Sequence, residues 1–414
     1  MKKISLLITS LMLSCSFSFA QLPLYLNFGS HNETTDTFDY INSSADYQLI
    51  KGIAKQIADS IIAHNARWNM QVESNFIRGC IVNENAATNP NDFLQWADAS
   101  PDIEVDVHNH FQPPFINPYN ASDLNHLLDS CGLIGNRKNL GGFIWKNFTN
   151  PPVSEDWTQY QTAPVVGFKY PFTSWRPQVI WGGGSPNHIS DYNAYGIWKP
   201  SGPTDSLFPI HNPNNYLTCI GNGCAEDFVI FDTTNVQNVI DNLVAMINYL
   251  QAQPTDPNAF YTATIMMNFK NFNTPGFVQK VCAVLNAMDT YSANGKIIWA
   301  TLTEKYDLYH SFHTNVNDYF ERRCEDVNVG VTPSPLSVSS LQFFPNPAGD
   351  LITVKNSSNE NSSWRIFSLE GKEIMNGKFN NALSINIHSL ESGIYFLEVN
   401  TANGKSVNKF FKGD

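Results

Sequence analysis

The sequence predicts an α/β domain built on a parallel sheet or barrel, followed by a small all-β sandwich. Three observations point there. Strand-like and helix-like segments alternate from residue 22 to about 325. A Pro/Ser stretch, "VGVTPSPLSVSS", then breaks the pattern. Beyond it the segments are short, β-like and separated by turn signals.

The chain opens "MKKISLLITSLMLSCSFSFAQ". Lys2 and Lys3 form a basic start, Ile4 to Phe19 an apolar run, and Ser18 and Ala20 the small residues of a signal peptidase site. This reads as a secretory signal peptide over 1–20, cut after Ala20. A lipid on Cys15 is the alternative, and Met12 and Leu13 before it fit an attachment box poorly. No later stretch is apolar enough to span a bilayer.

"LPLYLNF" is the first strand. "SSADYQLIKGIAKQIADSIIAHN" follows as a helix, with Ile50, Ile53, Ala54, Ile57 and Ile61 at helical spacing and Ser43 with Asp46 resembling a capping box. "WNMQVES" is a strand, "NDFLQWADA" a short helix and "DIEVDVHNH" a strand. "ASDLNHLLDSCG" is a helix closed by Gly132. Residues 146–230 are rich in Pro, Gly, Trp and Asn, as long ligand-binding loops at the top of a barrel are. Val236, Val239, Ile240, Leu243, Ile247 and Leu250 then share one helix face, and "YTATIMMNF" is a strand. "TPGFVQKVCAVLNAMD" is a helix with Thr274 as cap and Pro275 in its first turn. "NGKIIWATL" is a last strand entered through Asn294-Gly295. After a linker over 329–338, the segments "LITV", "SWRIFS", "LSINI", "GIYFLEV" and "KSVNKFF" make the sandwich of residues 339–414.

With 414 residues, 42% of them hydrophobic, the chain can bury two cores, the first within 21–328. Aromatics at 13% serve equally as sugar-stacking surfaces or as core filler. The formal net charge of −12, with no basic stripe, argues against a nucleic-acid partner. Six cysteines follow the leader, an even count that permits disulfides in an exported protein. Cys219 and Cys224 bracket "IGNG" and could close a small loop.

"EVDVHNHF" carries the densest chemistry. Strand alternation puts Asp106, His108 and His110 on one face. Two imidazoles and a carboxylate suit Zn²⁺ or a similar divalent ion. Chance, or loop hydrogen bonding, is the bland alternative, and Asp106 could instead orient a histidine. His31 and Glu33 follow the first strand. If both strands end at one barrel rim, His31 completes a three-histidine site and Glu33 serves as general base. Otherwise they sit in a loop that caps the next helix. In "SWRPQVIWGGGSPNHISDYNAYGIWKP", Trp175, Trp181, Tyr192 and Trp198 could stack on sugar rings. Arg176, His188 and Asp191 could bind hydroxyls or carboxylates. The same aromatics could simply pack on the barrel. Glu304 either ends the last strand at the same rim or starts a helix. No G-x-S-x-G elbow appears. An acid pair for glycoside cleavage could be drawn from Glu33, Asp106, Asp191 and Glu304.

Two resemblances follow. "FFPNPAGDLITV", "IFSLEGKEI", "INIHSLESGIYFLEV" and "KFFK" resemble the C-terminal sorting domain of the type IX secretion system over 339–414, with Pro345-Asn346-Pro347, Gly371 and Ser392-Gly393-Ile394-Tyr395 in family order. That implies the secretion machinery as partner, a Bacteroidetes-type origin, and an extracellular or cell-surface destination. Upstream, the order "HNE", "DVHNH", "NPYNASDLNHLL", "GGFIW", "WGGGSPNHISD", "GIWKP", "IIWATLTEKYD" is similar to a divergent polysaccharide deacetylase. That implies an incomplete (β/α)7-type barrel and metal-dependent hydrolysis of a carbohydrate, with a divalent cofactor such as Zn²⁺. The resemblance hands the base role to Glu33 and metal binding to His31, His108 and His110. His31-Asn32-Glu33 stands where that family has an Asp-Asp pair, and His108 and His110 are two apart rather than four. A binding barrel without catalysis is therefore a second reading. A third is an amidohydrolase-like enzyme, whose His-x-His normally follows the first barrel strand.

Overall fold

The computed structural model describes residues 22–32, 38–84, 92–110, 118–133, 135, 137–144, 157–182, 184, 193–224, 228–231, 233–253, 256, 258–312, 320–323, 341–344, 348–356, 361–368, 372–401 and 404–413. The leader, Glu33, His188, Asp191, Tyr192, Pro345-Asn346-Pro347 and Gly371 lie outside them. The chain divides into two units, Met1–Gly330 and Val331–Asp414.

The first unit is a curled, open sheet wrapped by helices, and is not a regular (β/α)7 barrel. Its strands are β1 (Leu24–His31), β2 (Trp68–Val72), β3 (Ile103–His110), β4 (Asn139–Ile144), β5 (Val165–Val166), β6 (Ser174–Trp175), β7 (Val179–Trp181), β8 (Asn193–Trp198), β9 (Thr218–Ile220), β10 (Gly223–Cys224), β11 (Val229–Ile230), β12 (Tyr261–Asn268), β13 (Ile297–Trp299) and β14 (Phe320–Arg323). The main sheet runs β10-β8-β9-β7-β4-β3-β2-β1-β12-β11. From β9 through β11 the neighbours are parallel, and β8 pairs antiparallel with β9, β10 and β14. β8 and β12 are joined by isolated bonds rather than a ladder. The Gly196 amide donates to Thr262 Oγ1 at 2.8 Å, and nearby the Thr264 amide donates to the Asn222 carbonyl at 3.0 Å.

The helices are α1 (Ser44–Ala63), α2 (Ser74–Glu84), α3 (Phe93–Asp98), α4 (Ala121–Ser130), α5 (Val236–Ala252), α6 (Phe277–Ala293) and α7 (Leu302–Phe312). At α1 half of the expected capping box forms: Ser43 accepts from the Asp46 amide, but the Asp46 carboxylate accepts from the Asp39 amide rather than from Ser43; α4 ends before Gly132 at φ 82°, as expected. At α6 the cap is Gly276 at φ 81°, not Thr274. Its side chain supplies nothing, and left-handed backbone makes the turn instead. The 146–230 section is more ordered than its composition implies, since it carries β5 to β10 and β11 begins at its end. Cys224 is disulfide-bonded, whereas Cys219 is a thiol, so the two do not close the "IGNG" loop.

Sheet alternation sorts the side chains. Leu26, Phe28, Met70, Val72, Val105, Val107 and Leu140 face outward, where they share a core with Ile50, Ile57 and Ile61 of α1. Their alternates Asn27, Asn69, Gln71, Asp106, His108 and Asn139 are buried on the inner face. Burying that many amides and acids is stable only if they find partners. The inner face therefore holds the buried polar groups, and the candidate site is sought there.

The second unit pairs a three-stranded sheet, β15 (Leu341–Phe344), β16 (Leu351–Asn356) and β19 (Ala382–Asn386), with a four-stranded one in the order β18-β17-β20-β21. The latter comprises β17 (Asn361–Phe367), β18 (Glu373–Asn380), β20 (Gly393–Thr401) and β21 (Gly404–Lys412). Val354, Trp364, Ile366, Leu397, Val399 and Phe410 form one core from both sheets, as a sandwich requires.

Candidate functional site

Two layers fill the polar side of the inner face. The lower layer lies where α7 starts, against the N-terminal ends of β2 and β3. The Leu302 amide donates to Asn69 Oδ1 at 3.1 Å, and the Thr303 amide to Glu104 Oε2 at 3.1 Å. Thr303 Oγ1 also donates to Glu104 Oε1. These donors belong to the first turn of a helix, whose partial positive charge favours a carboxylate there. Asn69 Nδ2 bridges Glu104 (2.8 Å) and Asp106 (2.7 Å), and Asn139 Nδ2 bridges the same two acids at 2.6 and 3.2 Å. Asn27 Nδ2 donates to Asn69 Oδ1 at 2.9 Å, while its own Oδ1 accepts from Lys305 Nζ (2.6 Å) and Thr264 Oγ1 (2.8 Å).

This layer is electrically tense. Burial raises the Asp106 carboxyl well above the ordinary range, and the charge of Glu104 raises it further. Burial also raises Glu104, while the Thr303, Asn69 and Thr301 donors pull it back. The Lys305 ammonium is fully buried, which lowers its pKa well below the ordinary range. Both carboxyls are raised, Asp106 the more strongly.

The upper layer holds the histidines. β1 and β2 register His31 beside Gln71, and β2 and β3 register Gln71 beside Asp106. His108, two residues farther along β3, faces His31 with ring centroids 4.2 Å apart and planes 16° from parallel. Trp181 meets His31 edge-on at 5.7 Å. His108 Nδ1 lies 3.0 Å from the Gly141 carbonyl oxygen. A carbonyl only accepts, so Nδ1 carries the proton and Nε2 is the basic nitrogen of the neutral ring.

Glycines on β4 make the layer fit. Gly142 has φ 60°, and a Cβ there would collide with His108 Nδ1 and press on His31 Cε1 at 3.0 Å. A Cβ on Gly141 would run into Gln71 Nε2. Among the described residues, neither Gln71 amide atom nor Trp181 Nε1, all buried, has a hydrogen-bond partner.

The sequence candidates thus divide. His31, His108 and Trp181 come together. His110 ends β3, and its side chain lies outside the described set, as do Glu33, His188 and Asp191. Asp106 accepts from Asn69 and Asn139 one layer below, and among the described residues it neither stands beside His108 as a ligand nor orients it. Glu304 is not at the mouth. It starts α7 and pairs with Arg67, just before β2, at 3.0 Å. Asp106 and Glu304 therefore do not form a glycosidase acid pair. Trp198 is fully buried, with its ring NH 2.7 Å from the Phe208 carbonyl and its ring edge-on to Phe208. Trp175 is buried as well, bonded to the Arg137 carbonyl. Neither offers a face to a sugar.

Asn69, Gln71, Glu104, Asn139, Thr303 and Lys305 were not singled out by sequence reasoning. A signal was present: "NMQ" and "EVDVH" alternate polar and apolar strictly, within strands that a two-sided parallel sheet would make apolar throughout.

Among the described residues, no group of three or more His, Cys, Asp or Glu is placed to hold a metal ion. The described side chains alone do not fit a zinc site.

Residues 342–412 match the family described as the secretion system C-terminal sorting domain. The protein is exported by type IX secretion to the cell surface or extracellular space. No helix among the described residues is long and apolar enough to cross a membrane. No curated protein sequence matches the chain. Among solved structures, a DUF3244 family protein with an immunoglobulin-like β-sandwich from Bacteroides vulgatus is 21% identical over 18% of this chain and 85% of its own, at a TM-score of 0.17. A 4-alpha-glucanotransferase from Thermococcus litoralis is 11% identical over 69% of this chain and 40% of its own, at 0.40. An endo-beta-1,4-mannanase double mutant from Cellulomonas fimi is 13% identical over 94% of both chains, at 0.25. Likenesses at those scores carry nothing toward activity.

Proposed function

We propose that the first unit is a secreted hydrolase acting on an acylated carbohydrate, as a deacetylase, with the His31–His108 pair as its reactive centre. The observation that carries this reading is the meeting of two imidazoles from separate strands on a glycine floor. His108, its Nδ1–H held by the Gly141 carbonyl, presents Nε2 as a general base toward a water attacking an acyl carbonyl. A positioned imidazole in that role is worth about 10²–10⁴ in rate. His31 stacks against it, and the partial positive charge of a donating imidazole suits a developing oxyanion.

A divalent ion such as Zn²⁺ belongs to this proposal only if the His110 side chain supplies a third ligand. No step here is routed through an ion. Acetate release from acetylated glycans, measured with and without chelator, tests the reading. Wild-type protein should release acetate, and His108→Ala should lose at least about 100-fold. Equal rates in both would remove the reactive centre.

The second reading is a binding barrel without catalysis. The close stacking of the histidines and the absence of an Asp-Asp pair after β1 favour it. Glycan binding without acetate release under either metal condition selects it. The amidohydrolase-like reading loses ground, because His108 stands on the third strand of the β1-β2-β3 run rather than the first.

A further inference from the structure

We infer that the hairpin of β5 and β6 is a separate surface subsite, which holds a single solvated glycan chain against the rings of Phe168, Tyr170 and Phe172. Its ligand class rests on the carbohydrate reading above, while its residues are independent of the histidine pair. Phe168 and Phe172 are 56% and 76% exposed. Apolar side chains scattered singly over a surface need no explanation, but these belong to one cluster. The Tyr170 ring centroid lies 6.0 Å from that of Phe172 and 6.2 Å from that of Tyr119. His126 of α4 stands 4.7 Å from Tyr170 and 5.3 Å from Phe172.

A buried acid fixes the turn that carries these rings. The Asp123 carboxylate, in the first turn of α4, accepts from three successive amides, those of Phe168 (2.9 Å), Lys169 (3.1 Å) and Tyr170 (2.9 Å). Asn120 Nδ2 donates to the Val166 carbonyl at 2.8 Å, and Ser122 Oγ to the Val165 carbonyl at 2.7 Å. A Cβ on Gly167 would strike Asp123 Oδ1, so the turn sits close against the helix. Rings held this way meet a ligand without the ordering cost that a mobile loop carries.

The occupant follows from size, shape and charge. Taking about 150–250 Å² for a whole aromatic side chain, the two phenylalanines expose roughly 200–330 Å², well short of the ~800 Å² per partner of a stable protein interface. The Tyr170 and Phe172 planes are 62° apart, so no flat face, such as that of a crystalline polymer, lies on both. The net charge of −12 disfavours an anionic lipid surface. A flexible glycan chain suits what remains. Its sugar rings bring C–H faces to the aromatics, and its hydroxyls meet the polar side chains interleaved with them, Lys169 and His126. Apolar rings with a few polar groups are the usual make-up of such sites.

The test is affinity electrophoresis of the full chain in native gels containing glycol chitin or hydroxyethylcellulose. At least one of the two should retard the wild type. Phe168→Ala/Phe172→Ala should bind that glycan at least about fivefold more weakly, each lost ring contact being worth about two- to tenfold. Leu207→Ala/Ile210→Ala alters two other exposed apolar side chains and should behave as the wild type. Equal retardation of the wild type and the phenylalanine variant overturns the inference and leaves the carbohydrate reading standing, since the glycan is then held elsewhere. An equal loss in the Leu207/Ile210 variant overturns it as general stickiness. Flotation with phosphatidylcholine/phosphatidylglycerol vesicles, or a dimer in sedimentation, that the phenylalanine variant abolishes overturns it in favour of a membrane or a second copy. If neither gel retards the wild type, the inference falls, and acetate release from glycol chitin decides separately whether the carbohydrate reading stands. Should the double variant fail to fold, Phe172→Ala alone is expected to weaken binding at least about twofold.

Discussion

Gly142 is the residue on which the histidine layer turns. Its left-handed backbone and its contact with both imidazole rings leave no room for a methyl group. Gly142→Ala is expected to cost about 1–3 kcal/mol, from the backbone conformation together with the displaced His108 ring. Thermal unfolding would register the loss, and the imidazole NMR signals of His31 and His108 would both move. A variant as stable as the parent, with unmoved signals, would mean that the glycine floor does not set the pair. At this scale the sequence was legible where residues titrate. The spacing of "DVHNH" and the position of "SHNE" single out His108 and His31 before any coordinates. Gln71 and Asn69 escaped, because an amide on a strand carries no charge signal. Their meaning depends on which neighbouring strand stands beside them, and a single strand does not contain that information.

At the scale of elements, α7 is more than a closing helix. Its first turn donates to Asn69 and Glu104, and its Lys305 reaches Asn27, so it seats the polar floor beneath the histidines. Thr303→Val removes the hydroxyl donor to Glu104 and should cost about 1–3 kcal/mol, as expected when a buried acceptor loses a partner. Denaturant unfolding at neutral pH checks it. The floor also sets a pH dependence. Burial raises the Glu104 carboxyl in the folded protein. The folded state therefore holds its proton to higher pH than the unfolded chain, whose carboxyls titrate near about 4. The stability tied to this group is full below that pH and is lost as pH rises through the raised folded value. The difference in unfolding free energy between the parent and Glu104→Gln, followed from pH 4 to 8 by urea titration, should shift against the parent as pH rises. A flat difference would contradict the assignment. The reason sequence placed Glu304 at the mouth is visible here. "IIWATLTEKYD" does not say that its strand ends after Trp299 and that the chain then turns under the barrel. Three residues of strand followed by a helix read locally like one longer strand.

At the scale of the whole molecule, each of two units owns an apolar core, one running through β1 to β13 and their helices, the other through the two sheets of the sandwich. Deleting 342–412 should abolish export while leaving the melting temperature of residues 22–330 unchanged, as fractionation and calorimetry would show. A fall in that temperature would mean that the first unit depends on the second. The sandwich was legible from its turn signals and short alternating strands. The strands of the first unit were legible at β1, β2, β3, β12 and β13, where helices separate them. The antiparallel β8 and the open edge arise from pairings distant in sequence, which local pattern cannot encode. The central claim is that His31 and His108 act as one centre. It is tested most directly by acetate release from an N-acetylated glycan by the parent, His31→Ala, His108→Ala and the double variant. The account predicts that all three variants fall at least about 100-fold and lie within about tenfold of one another, as residues of one catalytic unit do. Losses that multiply in the double variant, or single variants as active as the parent, would contradict it.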